Sequence, residues 1–217
     1  FLDALDPNGR VTEHGRKMSD LPLHPRLAHM VLHGAKMGQG TLACDLAAML
    51  SEQDFLKGTP AQSQIDLRNR IEEYTRQINR NSRSGIIQRI YQTSASWQRT
   101  LGITGQPHHR THDSGDLGIL LALAYPDRIA QRQSEGSRRY KLANGRLTQF
   151  NQPDPLEHDE YLVIADLDGA QPVSRIYLAA PIHRNDLLTH FSGLIQTKEI
   201  VEWDETTNPW SQADSDG

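Results

Sequence analysis

Apolar residues recur at helical spacing through the first 125 positions, and at alternate positions through much of the remainder. Thr12 can cap a short helix running to about Ser19. The prolines of Leu21-Pro-Leu-His-Pro25 interrupt it. Pro25 then suits the first turn of a second helix, which carries Leu27, Met30, Val31 and Ala35 and stops at Gly38. A third helix, over about 41–50, has Leu42, Leu46, Met49 and Leu50 for its buried side. Lys57-Gly-Thr-Pro60 breaks the pattern, and two longer amphipathic helices are predicted at 61–79 and 85–101. The stretch 115–125, rich in leucine and alanine, predicts a buried helix. At the start, residues 1–5 read as the tail of a helix that begins before them, followed by a turn at Asp6-Pro-Asn-Gly9.

From Pro126 the period becomes two, with β-forming runs at 128–131, 139–142, 146–150, 161–164, 175–178 and 199–203. Asn144-Gly145 is a hairpin signal, and Asp168-Gly169 with Gln171-Pro172 marks another turn. Residues 182–195 predict a helix before the last strand. Five or six short strands with one helical insertion fit an OB-type barrel. The polar stretch 208–217 predicts a frayed tail. The fold class is therefore α+β: a three-helix unit, a helical bundle and a β domain.

Composition narrows the classes. At 36% hydrophobic and 23% charged over 217 residues, the chain has the make-up of a globular protein. No apolar run approaches the roughly 20 residues of a membrane span, so no membrane association is expected. The lone Cys44 fits a reducing compartment and a cytoplasmic location. The formal charge of −4 is unevenly spread. Between 62 and 110 stand Arg68, Arg70, Arg76, Arg80, Arg83, Arg89, Arg99 and Arg110 against Asp66, Glu72 and Glu73; residues 151–217 are acidic. Guanidinium forks match phosphate oxygens, whereas a solvated helix face balanced by the acidic third is the competing reading.

Catalytic motifs are missing. Lys57-Gly58-Thr59 lacks the glycine-rich loop and strand of a nucleotide-binding P-loop, and Asp159-Glu160 lacks the histidine of a helicase DE-x-H box. No G-x-S-x-G elbow occurs, and Glu72 and Glu73, adjacent on a helix, point apart. His108-His109-x-x-His112-Asp113 has metal-like spacing, but Pro107 and polar neighbours place it in a solvated loop, and no metal site is assigned. The remaining signal is basic: Arg128, Arg132, Arg138, Arg139, Lys141 and Arg146 lie on or between the first strands. In Arg139-Tyr140-Lys141-Leu142, alternation puts Tyr140 with Leu142 on one face, read as core ahead of a base-stacking platform, and the two cations on the other. An edge strand protected by charge is the bland alternative.

An ordered string of residues adds a resemblance. Gly9, Val11-Thr12, Gly15-Arg16, Met18, Leu21-Pro22-Leu23, Pro25, Leu27-Ala28, Met30 and Ala47 to Ser51 resemble the winged-helix segment of DEAH-box helicases. The block from Ala122 to Ala130, with Tyr140 and Ala143-Asn-Gly-Arg146, is similar to the bacterial HrpB family in particular. This implies a degenerate winged helix at 1–56, a helical ratchet-like bundle at 57–125 and an OB-like β domain at 126–207. It further implies an accessory C-terminal portion of an ATP-dependent RNA helicase. In such a helicase, RecA-like domains of the same chain bind ATP and Mg²⁺ and hydrolyse NTP; this stretch alone would hydrolyse nothing and hold no cofactor. Its expected partner is single-stranded RNA, with DNA as the alternative. Expected contacts are Arg76, Arg80, Arg83 and Arg89 from the ratchet, and Arg128, Arg132, Arg138 and Arg139 from the barrel; Arg128 could instead pin the ratchet–barrel junction. The rival reading is a protein-interaction or regulatory module without nucleic-acid contact, which the acidic final third favours because negative charge repels phosphate.

Overall fold

The chain opens with a small hairpin, which corrects the expectation of a helix tail at 1–5. The Asp6 carboxylate accepts the backbone N–H groups of Asn8 and Arg10, at 2.9 and 2.8 Å, and folds the chain back so that Leu5 bridges Val11. A carboxylate that satisfies two backbone donors stabilises a turn against helix at this point. The computed structural model describes residues 2–52, 65–103, 114–169 and 172–194. The expectations for the histidine loop at 108–112, the strand at 199–203 and the tail at 208–217 lie outside the described residues.

Helix α1 (Glu13–Ser19) starts where Thr12 Oγ1 accepts the Gly15 N–H at 3.0 Å. Pro25 opens α2 (Pro25–Lys36), Gly38 at φ +77° turns the chain, and α3 (Gly40–Ser51) follows with almost every residue buried. Helix α4 (Leu67–Asn79) begins later than its periodicity predicts. Ile65 and Asp66 are extended instead, tied to the barrel by Ala179 N–H donating to the Ile65 carbonyl at 2.8 Å, and Asp66 then caps the helix. Helices α5 (Gly85–Thr100) and α6 (Ser114–Ala124) follow before the first strand.

Five strands form a closed barrel: β1 (Ile129–Arg132), β2 (Arg139–Leu142), β3 (Leu147–Gln149), β4 (Tyr161–Leu167) and β5 (Val173–Pro181), in the order β1-β2-β3-β5-β4. All pairings are antiparallel except β3 with β5, and β4 closes on β1. This is an OB-like Greek-key barrel closed by the five described strands. A 3₁₀ turn, Pro155–His158, stands between β3 and β4 and inserts Leu156 into the barrel core beside Tyr140, Phe150 and Leu162. The last helix, α7 (Arg184–His190), is shorter than the 182–195 expected for it; the chain leaves it at Phe191 for a 3₁₀ turn at Ser192–Leu194.

A second apolar cluster joins the parts. It runs from Met30 and Leu46 through Leu120 and Leu121 of α6 to Val163, Leu178 and Ile182 at the barrel wall. Helix α6 is apolar all round because it is sandwiched between α2 and the strands β4 and β5, and a helix with no solvent face shows no amphipathic stripe. Each fully buried leucine here contributes roughly 1.5–3 kcal/mol.

Candidate nucleic-acid interface

The structure sorts the arginines singled out by sequence into three settings. Around the turn from α4 to α5, Arg80 and Arg83 are exposed. Arg76, one turn earlier, pairs with Glu73, and Arg89 on α5 reaches Glu52 at 3.1 Å. The Arg76–Glu73 pair is solvent-facing and of small energetic weight.

Arg128 is the exception. Its Nη1 donates to the Ala165 carbonyl at 2.7 Å, and its guanidinium carbon sits 4.7 Å from the centre of the Tyr125 ring. Arg26 of α2 lies near the same ring, at 5.7 Å, and donates to the Ala124 carbonyl and to Asp127. Burial, the larger influence, raises the Tyr125 phenol pKa although both arginines act to lower it. The geometry supports the junction role for Arg128: it ties β4 to the segment leaving α6. Arg128→Ala is expected to cost about 2 kcal/mol, from a charge-assisted hydrogen bond and a cation–π contact. Thermal unfolding measures this, and an unchanged midpoint would return Arg128 to the interface.

The third setting is the barrel face. Arg132 Nη1 donates to the Glu157 carbonyl at 3.0 Å, and Arg138 pairs with the Glu157 carboxylate at 3.1 Å, so both lie against the 3₁₀ turn. Arg139 and Lys141 are exposed on the outer face of β2, while Tyr140 between them is wholly buried, as alternation requires. Its single hydroxyl proton is shared between the Asp159 carbonyl at 2.8 Å and the Leu156 carbonyl at 3.1 Å, and burial pushes its pKa up. Tyr140 is core. Register aligns Arg139 with Gln149 and Gln149 with Arg175, which makes a polar row across β2, β3 and β5.

Two members of this face carry no signal in the basic run at 128–146. Arg175 and Tyr177 alternate with buried Ser174, Ile176 and Leu178, and Tyr177 is 47% exposed on the barrel exterior. The alternation in Arg175-Ile176-Tyr177-Leu178 was the available signal; that β5 lies beside β3, next to β2, was not. Asp168 tempers the face, lying 4.0 Å from Arg175 and 3.5 Å from the Tyr177 hydroxyl.

Comparison with known proteins agrees with this architecture. Residues 1–23 match the helicase associated domain (HA2), winged-helix family. The ATP-dependent RNA helicase HrpB of Escherichia coli (strain K12) is 30% identical over 207 residues, covering 94% of this chain. The chain spans only 23% of that relative's length. A crystal structure of the E. coli DExH-box NTPase HrpB superposes with a TM-score of 0.71 at 29% identity, over 94% of this chain and 23% of that one. A second, of the E. coli DEAH/RHA helicase HrpB, gives 0.63 at 26% identity, over 84% and 20%. Hairpin, helices and barrel together thus place the chain as the C-terminal region of an HrpB-like helicase.

Proposed function

We propose that the outer face of β2, continued across β3 to β5, contacts a single strand of RNA as it leaves the motor of an ATP-dependent helicase. The observation that carries the reading is the row of Arg139, Gln149 and Arg175, with Lys141 and the exposed ring of Tyr177 on the same face. Barrels of this class hold single strands on the β2–β3 face and the adjoining loops, using cations for phosphates and aromatic rings for bases. Arg138, in the loop before β2, and Arg132 extend the basic surface. Arg76, Arg80, Arg83 and Arg89 would supply a second wall from a helical ratchet. In this reading 1–56, 57–125 and 126–207 act as winged helix, ratchet and barrel. ATP and Mg²⁺ belong to RecA-like domains elsewhere in such a helicase, since this stretch has no phosphate-binding loop. The buried Cys44, its thiol pushed up to about 12 mainly by desolvation, suits a reducing cytoplasm.

The test is fluorescence anisotropy of the chain with labelled single-stranded RNA across a salt series. Saturable binding that weakens steeply with salt is expected. Reversal of Arg138, Arg139 and Lys141 to glutamate should weaken it and flatten the log–log salt slope by about 0.7 for each phosphate no longer neutralised. DNA of the same sequence, run alongside, distinguishes the two strand chemistries. Affinity unchanged by the reversal would remove the barrel face from the model; no binding at low salt would favour the protein-interaction role.

A further inference from the structure

The sequence draws attention to histidines at 108–112 and assigns no metal to them. Folding brings together a different trio. His29 and His33 stand one turn apart on α2, and His14 on α1 packs across them. Their ring centroids are 5.0 Å (His14–His29), 4.9 Å (His14–His33) and 4.2 Å (His29–His33) apart. One nitrogen of each lies within 4.8 Å of those of the other two, and His14 Nε2 is 2.9 Å from His29 Nδ1.

We propose that His14, His29 and His33 bind a divalent transition-metal ion, Zn²⁺ in first place. Three neutral imidazoles, two of them at i and i+4 on one helix face, match the ligand number and type of zinc sites that keep a further position for water or another donor. Hard ions such as Mg²⁺ prefer oxygen and are disfavoured by an all-nitrogen set.

Packing alone leaves something unexplained. Both ring nitrogens of His33 are buried, and neither has a hydrogen-bond partner among the described residues. A buried imidazole without a donor or acceptor partner is costly. A metal ion would give one of those nitrogens its partner. The local fields also keep the rings in the form a metal needs. Burial is the largest influence on all three and lowers their pKa values, His33 to about 4, which favours the neutral imidazoles that a metal binds. Lys36 also lowers the pKa of every ring and Lys17 that of His14, positive charge that an incoming cation must overcome, while Asp3 opposes them and would attract the ion.

The Leu2 carbonyl accepts a hydrogen bond from His29 Nδ1–H at 3.1 Å, which leaves the other ring nitrogen of His29 to hold an ion, and Asp3 follows Leu2 in the chain. An ion held here would fasten the N-terminal hairpin and α1 onto α2, which makes the site a structural clamp on the winged helix.

The chain, stripped of metal with a chelator and exchanged into clean buffer, is titrated with ZnCl₂ by calorimetry and with Co²⁺ by visible absorption. Saturable binding of one ion per chain, tetrahedral Co²⁺ bands and a raised unfolding midpoint are expected. A triple variant with His108, His109 and His112 changed to asparagine should keep this binding, whereas His33→Gln should lose it. His14→Gln, at a half-exposed position, decides the matter should His33→Gln fail to fold; it too should abolish the Co²⁺ bands. No saturable binding by the parent chain, or binding that vanishes with the His108/His109/His112 variant and persists in His14→Gln, would overturn the proposal.

Discussion

Asp45→Ala is expected to destabilise the fold by about 3 kcal/mol, because it strips the acceptor from two buried hydroxyls at once. Asp45 sits on α3 at 5% exposure, and its Oδ1 accepts Ser94 Oγ of α5 at 2.5 Å and the Tyr74 hydroxyl of α4 at 3.3 Å. One carboxyl thus joins three helices inside an otherwise apolar cluster. Burial, with Asp45 beside it, raises the Tyr74 phenol pKa, so that hydroxyl stays protonated and needs an acceptor. Removing both donors together by Ser94→Ala and Tyr74→Phe should cost less when Asp45 is already absent, and the coupling in that cycle measures the network. Urea unfolding gives the numbers. A loss below about 1 kcal/mol for Asp45→Ala would mean that the hydroxyls find other acceptors.

Gly118→Ala should be comparably damaging, although alanine is the better helix former by about 1 kcal/mol. Gly118 lies where α6 crosses the end of β5. A Cβ there would stand 2.2 Å from the Pro181 carbonyl oxygen and 3.1 Å from Ile182 Cβ. The obstacle is backbone, which cannot rotate away, so the helix must lift off the barrel and open the cluster containing Leu120, Leu121 and Leu178. The expected net destabilisation is about 2–4 kcal/mol, the upper range for overpacking. Gly115→Ala provides the contrast on the same helix: its Cβ would meet nothing nearer than Asp186 Oδ2 at 3.4 Å, and the change should be neutral or slightly stabilising. Equal midpoints for the two variants in thermal unfolding would contradict this packing.

Arg128 shows what residue type alone leaves open. Sequence groups it with Arg132, Arg138 and Arg139 as one basic run, but only Arg139 lies on the exposed outer face of β2 with Lys141. Arg128 is engaged with Ala165 and Tyr125, and Arg132 and Arg138 turn toward Glu157. Partners such as Ala165 and Glu157 are distant in the chain, so no local pattern announces them.

What the sequence determined by itself was local. Thr12 and Pro25 start helices and Gly38 ends one; leucines at helical spacing build α2 and α3; alternation in β2 sends Tyr140 inward and Lys141 outward. These features arise from backbone sterics, capping and periodicity within a few residues. Tertiary structure decided the rest: the later start of α4, held off by the pairing of Ile65 and Asp66 with β5; the placing of β5 beside β3, which puts Arg175 in line with Arg139; and the meeting of His14 with the His29–His33 pair. The histidine pair is legible as an i, i+4 spacing, but the third ring arrives only when α1 packs on α2. Such juxtapositions depend on which apolar faces bury one another across long stretches of chain, and one-dimensional periodicity carries no record of that choice.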